Sequence, residues 1–227
     1  MFGRIAPRYD LLNRLMTAGQ DRAWRSAAIA CLAPLSRPGR YLDLATGTGD
    51  LALALHARAD QENNADVHID AIDVSAPMLE RAKQKIVQRN AQSHIALRTG
   101  AAEEIPFPDA TFDGVTVGFG VRNFADRRRG LQEILRVLKP GGRLIVLEAC
   151  PCENAIQRFV QWAHTAVSVR LLGALLSERS AYEYLGNSIT DFPNPAAFSQ
   201  ELTDHGFRVE EARSLGLGAV TLFHASR

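Results

Sequence analysis

The sequence predicts an α/β fold built on a mostly parallel sheet with helices on both of its faces. Short apolar segments alternate with longer amphipathic segments along most of the chain, which is the pattern of successive βαβ units. The short segments are continuously apolar rather than alternating, as strands covered on both faces must be. A glycine-rich turn joins the first predicted strand to the helix that follows it.

The size and composition of the chain are typical of one globular domain. It has 227 residues, of which 46% are hydrophobic and 22% are charged. The net charge of +1 gives no general electrostatic attraction to nucleic acid, so we expect no nucleic-acid partner. The run from Arg127 to Arg129 is interpreted as a solvated face.

The cysteine pattern argues against disulfides and metal. Cys31, Cys150 and Cys152 are odd in number and form no CxxC pair, so we predict no disulfide framework and no metal site. The first ten residues lack the apolar core of a signal peptide. Polar residues interrupt the most apolar stretch, 159–176, which makes a spanning helix unexpected and favours a cytoplasmic protein.

The N-terminal half of the chain is predicted to begin with a helix that Gly19 can divide in two. A turn at Ser36–Gly39 then precedes the first strand. Ser75 is expected to cap the third helix, with Pro77 in its first turn. In order, the predicted elements are a helix over 8–33, a strand over 41–45, a helix over 51–59, a strand over 67–72 and a helix over 76–91.

The C-terminal half continues the alternation and then ends in two strands. Two prolines make residues 105–109 a loop, and Lys139–Gly142 is predicted to be a turn. The last two strands are separated by too few residues for a crossover helix, so they should pair antiparallel. The predicted strands cover 94–98, 112–117, 143–147, 207–212 and 219–225, and the predicted helices cover 126–138, 154–176 and 198–205.

The glycine turn predicts a ligand site. In open α/β sheets, ligands lie at the carboxyl ends of the strands. Gly47 and Gly49 permit a sharp turn and a close approach of a ligand, so we expect Gly49→Val to abolish binding by filling that space. Asp73 ends the second strand, where its carboxylate can accept both ribose hydroxyls of an adenosine.

The charges around the turn bear on the class of ligand. The pattern Gly47-x-Gly49-x-x-Ala52 also fits a dinucleotide site, but Asp43 and Asp50 would repel a pyrophosphate there. S-adenosylmethionine carries no phosphate, and its ammonium and sulfonium are cationic, so we predict this cofactor. The alternative is that Asp50 only favours the helix dipole and Asp43 is a surface strand end.

Several segments together resemble the C-methyltransferases of ubiquinone and menaquinone biosynthesis. They are YDLLNRLMTAGQDRAWR (9–25), LDLATGTGDLA (42–52), DVSAPMLERAK (73–83), EEIPFPDATFDGVTVGFGVRNF (103–124), EILRVLKPGGRLIVLE (133–148) and EYLGNSITDFPN (183–194). The glycine turn and the KPGG segment occur in many methyltransferases. The combination of Tyr9, Asp10 and Asn13 with Phe119–Asn123 is more specific to the quinone branch.

The resemblance implies a Rossmann-like sheet of seven strands, one of them antiparallel, in a single domain over 1–227. It also implies a helical lid over 1–36 and a substrate-side insertion over 148–195. Because Ala101 lacks a polar side chain, the adenine would rely on backbone amides or on Glu103. From the turn and the resemblance together, the predicted cofactor-binding residues are Asp43, Gly47, Thr48, Gly49, Asp73, Val74, Ala101, Ala102 and Gly118.

For catalysis, the resemblance implies methyl transfer to a ring carbon of a polyprenylated quinol. We expect Arg122 to stabilise the quinol oxyanion or to order a water that accepts the proton, and Asn123 to hydrogen-bond the ring oxygen. Tyr9 is predicted to contact substrate from the lid. The alternatives are that Arg122 forms a salt bridge with Asp126 and that Tyr9 is a half-buried packing aromatic.

The acceptor is expected to be demethylmenaquinol, which would give menaquinol. A polyprenyl benzoquinol, another small molecule, or a non-catalytic cofactor-binding scaffold are the alternatives. The apolar segment from Ile156 to Leu176 could line a tunnel for the prenyl chain or rest on the inner face of the membrane. It could equally be core or the surface of a homodimer.

Overall fold

A computed structural model describes residues 14, 17, 19–151, 188–218 and 220–227. The predicted substrate contact of Tyr9 and the predicted helix over 154–176 lie outside the described residues. None of the described helices combines the length and the apolar character that crossing a bilayer requires.

The described residues contain a sheet of seven strands in the order β3-β2-β1-β4-β5-β7-β6. Neighbouring strands pair parallel except β7, which is antiparallel to both β5 and β6. The predicted antiparallel final pair is therefore confirmed. The strands are β1 (Gly39–Leu44), β2 (Val67–Asp73), β3 (Ile95–Thr99), β4 (Phe112–Gly118), β5 (Leu138–Glu148), β6 (Arg208–Leu215) and β7 (Val220–Ser226).

Helices cover both faces of this sheet, as predicted. One buried cluster joins the sheet to α4 and α5, and a second joins it to α1, α2 and α3. Leu144 and Val146 of β5 belong to the first cluster, whereas Ile145 and Leu147 belong to the second, which explains why the strand is apolar at consecutive positions. The helices are α1 (Asp21–Ala30), α2 (Asp50–Gln61), α3 (Ala76–Gln88), α4 (Arg127–Val137) and α5 (Pro195–Asp204).

The start of β5 differs from the prediction. The segment Lys139–Gly142, predicted to be a turn before the strand, lies inside β5. Phe112 pairs with Leu138, but Gly114 pairs with Arg143, so the extra residues form an irregularity in the strand. Gly141 adopts a φ of +74°, a left-handed conformation that glycine permits and that allows the extra residues to loop out.

One helix cap and one helix start also differ from the prediction. The side chain of Ser75 makes no capping hydrogen bond at the start of α3; instead, Ser75 N donates to Oδ1 of Asp73 at 2.8 Å. Asp126 precedes α4 and accepts a hydrogen bond from Arg129 N at 3.0 Å. Asn194 caps α5 in the same way, which starts that helix at Pro195, three residues before the predicted position.

The strand order reverses between β1 and β4. The chain leaves β1 toward β2 on one side and returns across β1 to β4 on the other. The carboxyl ends of β1 and β4 consequently frame an open crevice, which is the usual position of a ligand in such sheets.

Candidate functional site

A cavity of about 390 Å³ lies at the carboxyl ends of β1, β2 and β4, within the size range of small-molecule sites. Every predicted cofactor-binding residue except Gly49 lies on its wall, and so does Asn123. Arg122 does not lie on that wall. Those on the wall are Asp43, Gly47, Thr48, Asp73, Val74, Ala101, Ala102 and Gly118.

The glycine turn is tied to the neighbouring strand. Gly47 N donates to Oδ2 of Asp73 at 2.8 Å, and Thr46 N donates to the carbonyl of Ile72 at 2.9 Å. Gly47 has a φ of +55°, and a Cβ added to it would meet no atom within 4 Å. The backbone at Gly47 therefore borders open space, as a close approach of a ligand requires.

Gly49 makes the predicted turn, but it lies off the cavity wall. It is the residue before α2, in a left-handed conformation with a φ of +81°. A Cβ added there would lie 3.1 Å from Cβ of Ala82 in α3. Gly49 therefore permits the turn and the close packing of α3, so Gly49→Val should disturb this packing in addition to any effect on the ligand.

Asp43 is buried rather than a surface strand end. Its side chain accepts hydrogen bonds from the hydroxyls of Thr46 at 2.5 Å and Thr116 at 2.8 Å, and from Ala52 N at 3.1 Å. Burial raises the pKa of Asp43 from 3.8 to about 6, and these three hydrogen bonds oppose the rise. These hydrogen bonds fix the carboxyl group at the base of the cavity.

Asp73 presents its carboxylate at the end of β2. Oδ2 accepts from Gly47 N and Oδ1 accepts from Ser75 N, both at 2.8 Å. Burial raises the pKa of Asp73, whereas these backbone hydrogen bonds lower it. Backbone groups of Gly47, Val74 and Ser75 thus fix the carboxylate at the edge of the cavity, where it can still accept from a ribose hydroxyl.

Asp50 is ion-paired, which weakens one step of the argument from charge. It contacts Nζ of Lys85, and its Oδ2 lies 3.0 Å from Nη2 of Arg25. Lys85 also donates to the hydroxyl of Thr48 at 3.1 Å. Two cations therefore offset the charge of Asp50, and repulsion of a pyrophosphate depends mainly on Asp43 and Asp73.

The wall expected beside the adenine is formed by small residues. Ala102 is buried, and Ala101 forms an isolated bridge with Glu104. Glu103 lies on the wall, and its Oε1 accepts from Asp126 N at 3.1 Å. The segment 100–103 thus offers chiefly backbone groups and one carboxylate.

The packing of α2 explains why residue 118 is a glycine. A Cβ added to Gly118 would lie 2.5 Å from Cδ1 of Leu51. Glycine at this position therefore leaves room for the Leu51 side chain.

Arg122 lies in a short 3-10 turn, Val121–Asn123, after β4. Its Nη1 pairs with Oε1 of Glu148, and its backbone N donates to Oε2 of Glu148 at 3.2 Å. Glu148 is fully buried, and the Arg122 side chain is 7% exposed. The alternative partner, Asp126, is therefore wrong, because Asp126 caps α4 instead.

One donor of Arg122 is buried without a partner. Its Nε–H makes no hydrogen bond within the part of the chain that is described. Asn123 lies on the cavity wall and donates from Nδ2 to the carbonyl of Phe119 at 3.2 Å. Sequence reasoning missed Glu148, although its position as the last residue of β5 is equivalent to that of Asp73 at the end of β2.

The wall chemistry fits S-adenosylmethionine. Four of the charged residues on the described wall are acidic and one is basic: Asp43, Asp50, Asp73 and Glu103 against Arg25. This wall disfavours a phosphate and favours a cationic ligand. The described residues contain no cluster of three or more histidine, cysteine or acidic side chains that could hold a metal ion.

The reversal of strand order, the antiparallel β7 and the acidic cavity beside a glycine turn define an S-adenosylmethionine-dependent methyltransferase. Comparison with known proteins supports this class and identifies the family within it. The model of the ubiE/COQ5 methyltransferase family matches residues 1–227, and the chain belongs to that family.

Relatives match over nearly the full chain. A demethylmenaquinone methyltransferase of Deinococcus radiodurans is 45% identical, covering 92% of this chain and 83% of its own. One of Thermus thermophilus is 42% identical, covering 97% of both chains. A ubiquinone/menaquinone biosynthesis C-methyltransferase of Geotalea daltonii is 39% identical over 98% of this chain and 93% of its own.

Solved structures support the fold at lower identity. A crystal structure described as a putative S-adenosyl-L-methionine-dependent methyltransferase of Methanococcus maripaludis superposes with a TM-score of 0.68. It is 19% identical and covers 100% of this chain and 94% of its own. The sheet, helices on both faces and one antiparallel strand are thus a fold that this chain shares with distant proteins.

Proposed function

We propose that this protein transfers a methyl group from S-adenosylmethionine to a ring carbon of demethylmenaquinol, giving menaquinol. The observation that carries the proposal is the full-length match to relatives named demethylmenaquinone methyltransferase. The cavity supports it, because the acidic wall and Asn123 meet at the carboxyl edge of the sheet.

In the proposed reaction the protein mainly aligns the methyl donor with the acceptor and excludes water, because the donor is already activated. Bound S-adenosylmethionine supplies an electrophilic methyl group on a cationic sulfur. Asp73 holds the ribose hydroxyls, and Asp43 stabilises the cationic portion from beneath the turn. The small residues at 100–102 leave room for the adenine.

Asn123 and Arg122 act on the quinol in this proposal. A quinol carbon becomes nucleophilic as the adjacent hydroxyl loses its proton, so donors facing that oxygen stabilise the developing charge. Asn123 lies on the cavity wall to hydrogen-bond the ring oxygen. Arg122 lies behind Asn123 and off the wall, but its buried Nε–H has no partner among the described residues, which is consistent with a catalytic role. Glu148 positions Arg122 and balances its charge.

Arg122→Lys tests this role better than Arg122→Ala. Alanine would leave the buried Glu148 carboxylate without its partner, at a cost of about 3–5 kcal/mol. Lysine keeps the charge but removes the Nε–H. We expect kcat to fall by about 100-fold while cofactor affinity holds. Arg128→Lys, on the exposed side of α4, is the matched control. Unchanged kcat in Arg122→Lys would assign the oxyanion to another residue.

The acceptor is tested with labelled S-adenosylmethionine and a panel of quinols. We expect label on demethylmenaquinol in preference to the corresponding demethylated benzoquinol. Preference for the benzoquinol would favour ubiquinone synthesis, and transfer only to an unrelated acceptor would favour small-molecule methylation. Cofactor binding without transfer to any acceptor would favour a non-catalytic scaffold.

We further propose that the protein meets its prenylated substrate at the membrane surface. The support is the chemistry of the polyprenyl chain and the apolar sequence from Ile156 to Leu176, which lies outside the described residues. Co-flotation with vesicles that contain demethylmenaquinol tests this proposal. If the segment instead forms a homodimer surface, the protein will sediment as a dimer and remain unbound to vesicles.

A further inference from the structure

The acidic residues of the cavity wall complement the cationic groups of the cofactor but not its carboxylate. S-adenosylmethionine carries an α-carboxylate as well as its ammonium and sulfonium. Asp43, Asp73 and Glu103 on the wall would repel that carboxylate. Among the wall residues that the structure describes, Arg25 is the single cationic side chain.

We propose that Arg25 binds the α-carboxylate of S-adenosylmethionine. The inference extends the predicted cofactor site to α1, which sequence reasoning had treated only as part of a lid. It concerns the cofactor and does not depend on which quinol is the acceptor.

The position of Arg25 matches the end of the cavity where the methionyl group belongs. If Asp73 binds the ribose and Ala102 borders the adenine, the methionyl group extends toward the glycine turn. Arg25 lies at that turn, since its Nη2 is 3.0 Å from Oδ2 of Asp50, the first residue of α2.

Arg25 is held in place before any ligand binds. Its Nη1 lies 2.7 Å from Oδ2 of Asp21, one turn earlier on α1, and Asp21 is 4% exposed. Asp21 also accepts from the hydroxyl of Thr17 at 3.2 Å. A guanidinium fixed from two sides loses less conformational entropy on binding than a free one.

The guanidinium retains capacity for a third carboxylate. Arginine has five N–H donors, and the contacts with Asp21 and Asp50 use Nη1 and Nη2. Planar pairing of a guanidinium with a carboxylate gives short, charge-assisted hydrogen bonds. With two carboxylates already present, Arg25 offsets part of the charge around it and still offers donors to the ligand.

Neighbouring cations do not share this position. Lys85 contacts Asp50 and Thr48 and lies off the cavity wall, so it positions the turn. Arg22 is on the same helix but is exposed to solvent and is also absent from the wall. Arg22 therefore provides a matched control for the charge of α1.

The test compares S-adenosylhomocysteine with its decarboxylated counterpart by isothermal titration calorimetry. Without a cation for the carboxylate, the acidic wall would bind the decarboxylated ligand at least as tightly. With Arg25 as the partner, the unmodified protein should prefer S-adenosylhomocysteine by about 10- to 100-fold, as expected for a charge-assisted pair.

Substitution of Arg25 then tests whether this side chain causes the preference for the ligand with a carboxylate. In Arg25→Gln the ratio of the two affinities should fall close to unity, whereas Arg22→Gln should keep the full preference. If the substitution only loosened α1, the affinities for both ligands would fall by the same factor and their ratio would not change. If Arg25→Gln does not fold, Arg25→Lys retains a charge for Asp21 and should show an intermediate ratio. A ratio near unity in the unmodified protein, or a full preference in either Arg25 variant, would overturn the proposal.

Discussion

Replacing Asp43 with asparagine is expected to stabilise the unliganded protein at neutral pH and to weaken its affinity for S-adenosylmethionine. Asp43 is buried beneath the glycine turn, and three hydrogen bonds hold its carboxylate. Burial raises its pKa because water no longer solvates the charge. Burial of the charged carboxylate destabilises the unliganded protein, whereas the same charge attracts a cationic ligand and raises its affinity.

The magnitude follows from the pKa of the buried carboxyl. It rises from 3.8 to about 6, so the folded chain binds this proton more tightly than the unfolded chain. The corresponding stabilisation is fully present below pH 3.8 and is lost as the pH rises through about 6. At 1.36 kcal/mol for each tenfold change, the loss by pH 8 is about 3 kcal/mol. Asparagine does not ionise and avoids this loss.

Asparagine also rearranges the hydrogen bonds. Its amide oxygen can accept two of the three donors, and one imperfect hydrogen bond costs about 1 kcal/mol. We therefore expect Asp43→Asn to be about 0.5 kcal/mol less stable than the unmodified protein at pH 4 and about 2 kcal/mol more stable at pH 8.

Urea unfolding of both proteins at pH 4 and pH 8 measures this change. Asp66→Asn, at an exposed position before β2, is the control and should show the same stability difference at both pH values. Calorimetry at pH 8 should show S-adenosylmethionine binding to Asp43→Asn weakened by about tenfold, the effect of one lost charge-assisted interaction. A stability difference for Asp43→Asn that does not change with pH would refute the reasoning.

Four further substitutions test the two glycines of the turn, a helix cap and the core. Gly47→Val should weaken S-adenosylhomocysteine binding in calorimetry, because its side chain enters open space at the cavity, whereas Gly49→Val should mainly lower the urea midpoint, because its Cβ meets Ala82 at 3.1 Å. The reverse pattern would contradict the assignment of the two glycines. Asp126→Ala should lower the free energy of unfolding by about 1 kcal/mol through loss of the α4 cap. Phe198→Ala should cost about 3–5 kcal/mol, because this side chain is fully buried; a loss below 1 kcal/mol would indicate a core that collapses around the gap.

The sheet and the cofactor turn were predictable because local sequence encodes them. Strands buried on both faces are apolar at consecutive positions, and the turn and Asp73 follow directly after the first two strands. The start of β5 was missed because Lys139–Gly142 has the composition of a turn. The pairing of Phe112 with Leu138 and the backbone hydrogen bonds of Gly141 and Gly142 with Arg227 place that segment within a strand.

Partners across elements were beyond the reach of sequence patterns. Arg122 and Glu148 are 26 residues apart, and they meet because β4 and β5 are neighbouring parallel strands. Arg25 reaches the cavity because α1 packs on the same face as α2, a placement that helical periodicity does not specify. Asp50 shows the converse: its place in the sequence suggested a free charge, but Arg25 and Lys85 neutralise it.

The central claim is methyl transfer to carbon, and the most direct measurement is NMR of the product formed from S-adenosylmethionine with a ¹³C-labelled methyl group. Purified protein is incubated with this donor and demethylmenaquinol under reducing conditions. The account predicts one labelled methyl on a ring carbon for each S-adenosylhomocysteine formed. A labelled methoxy signal, or no transfer while the donor remains bound, would contradict it.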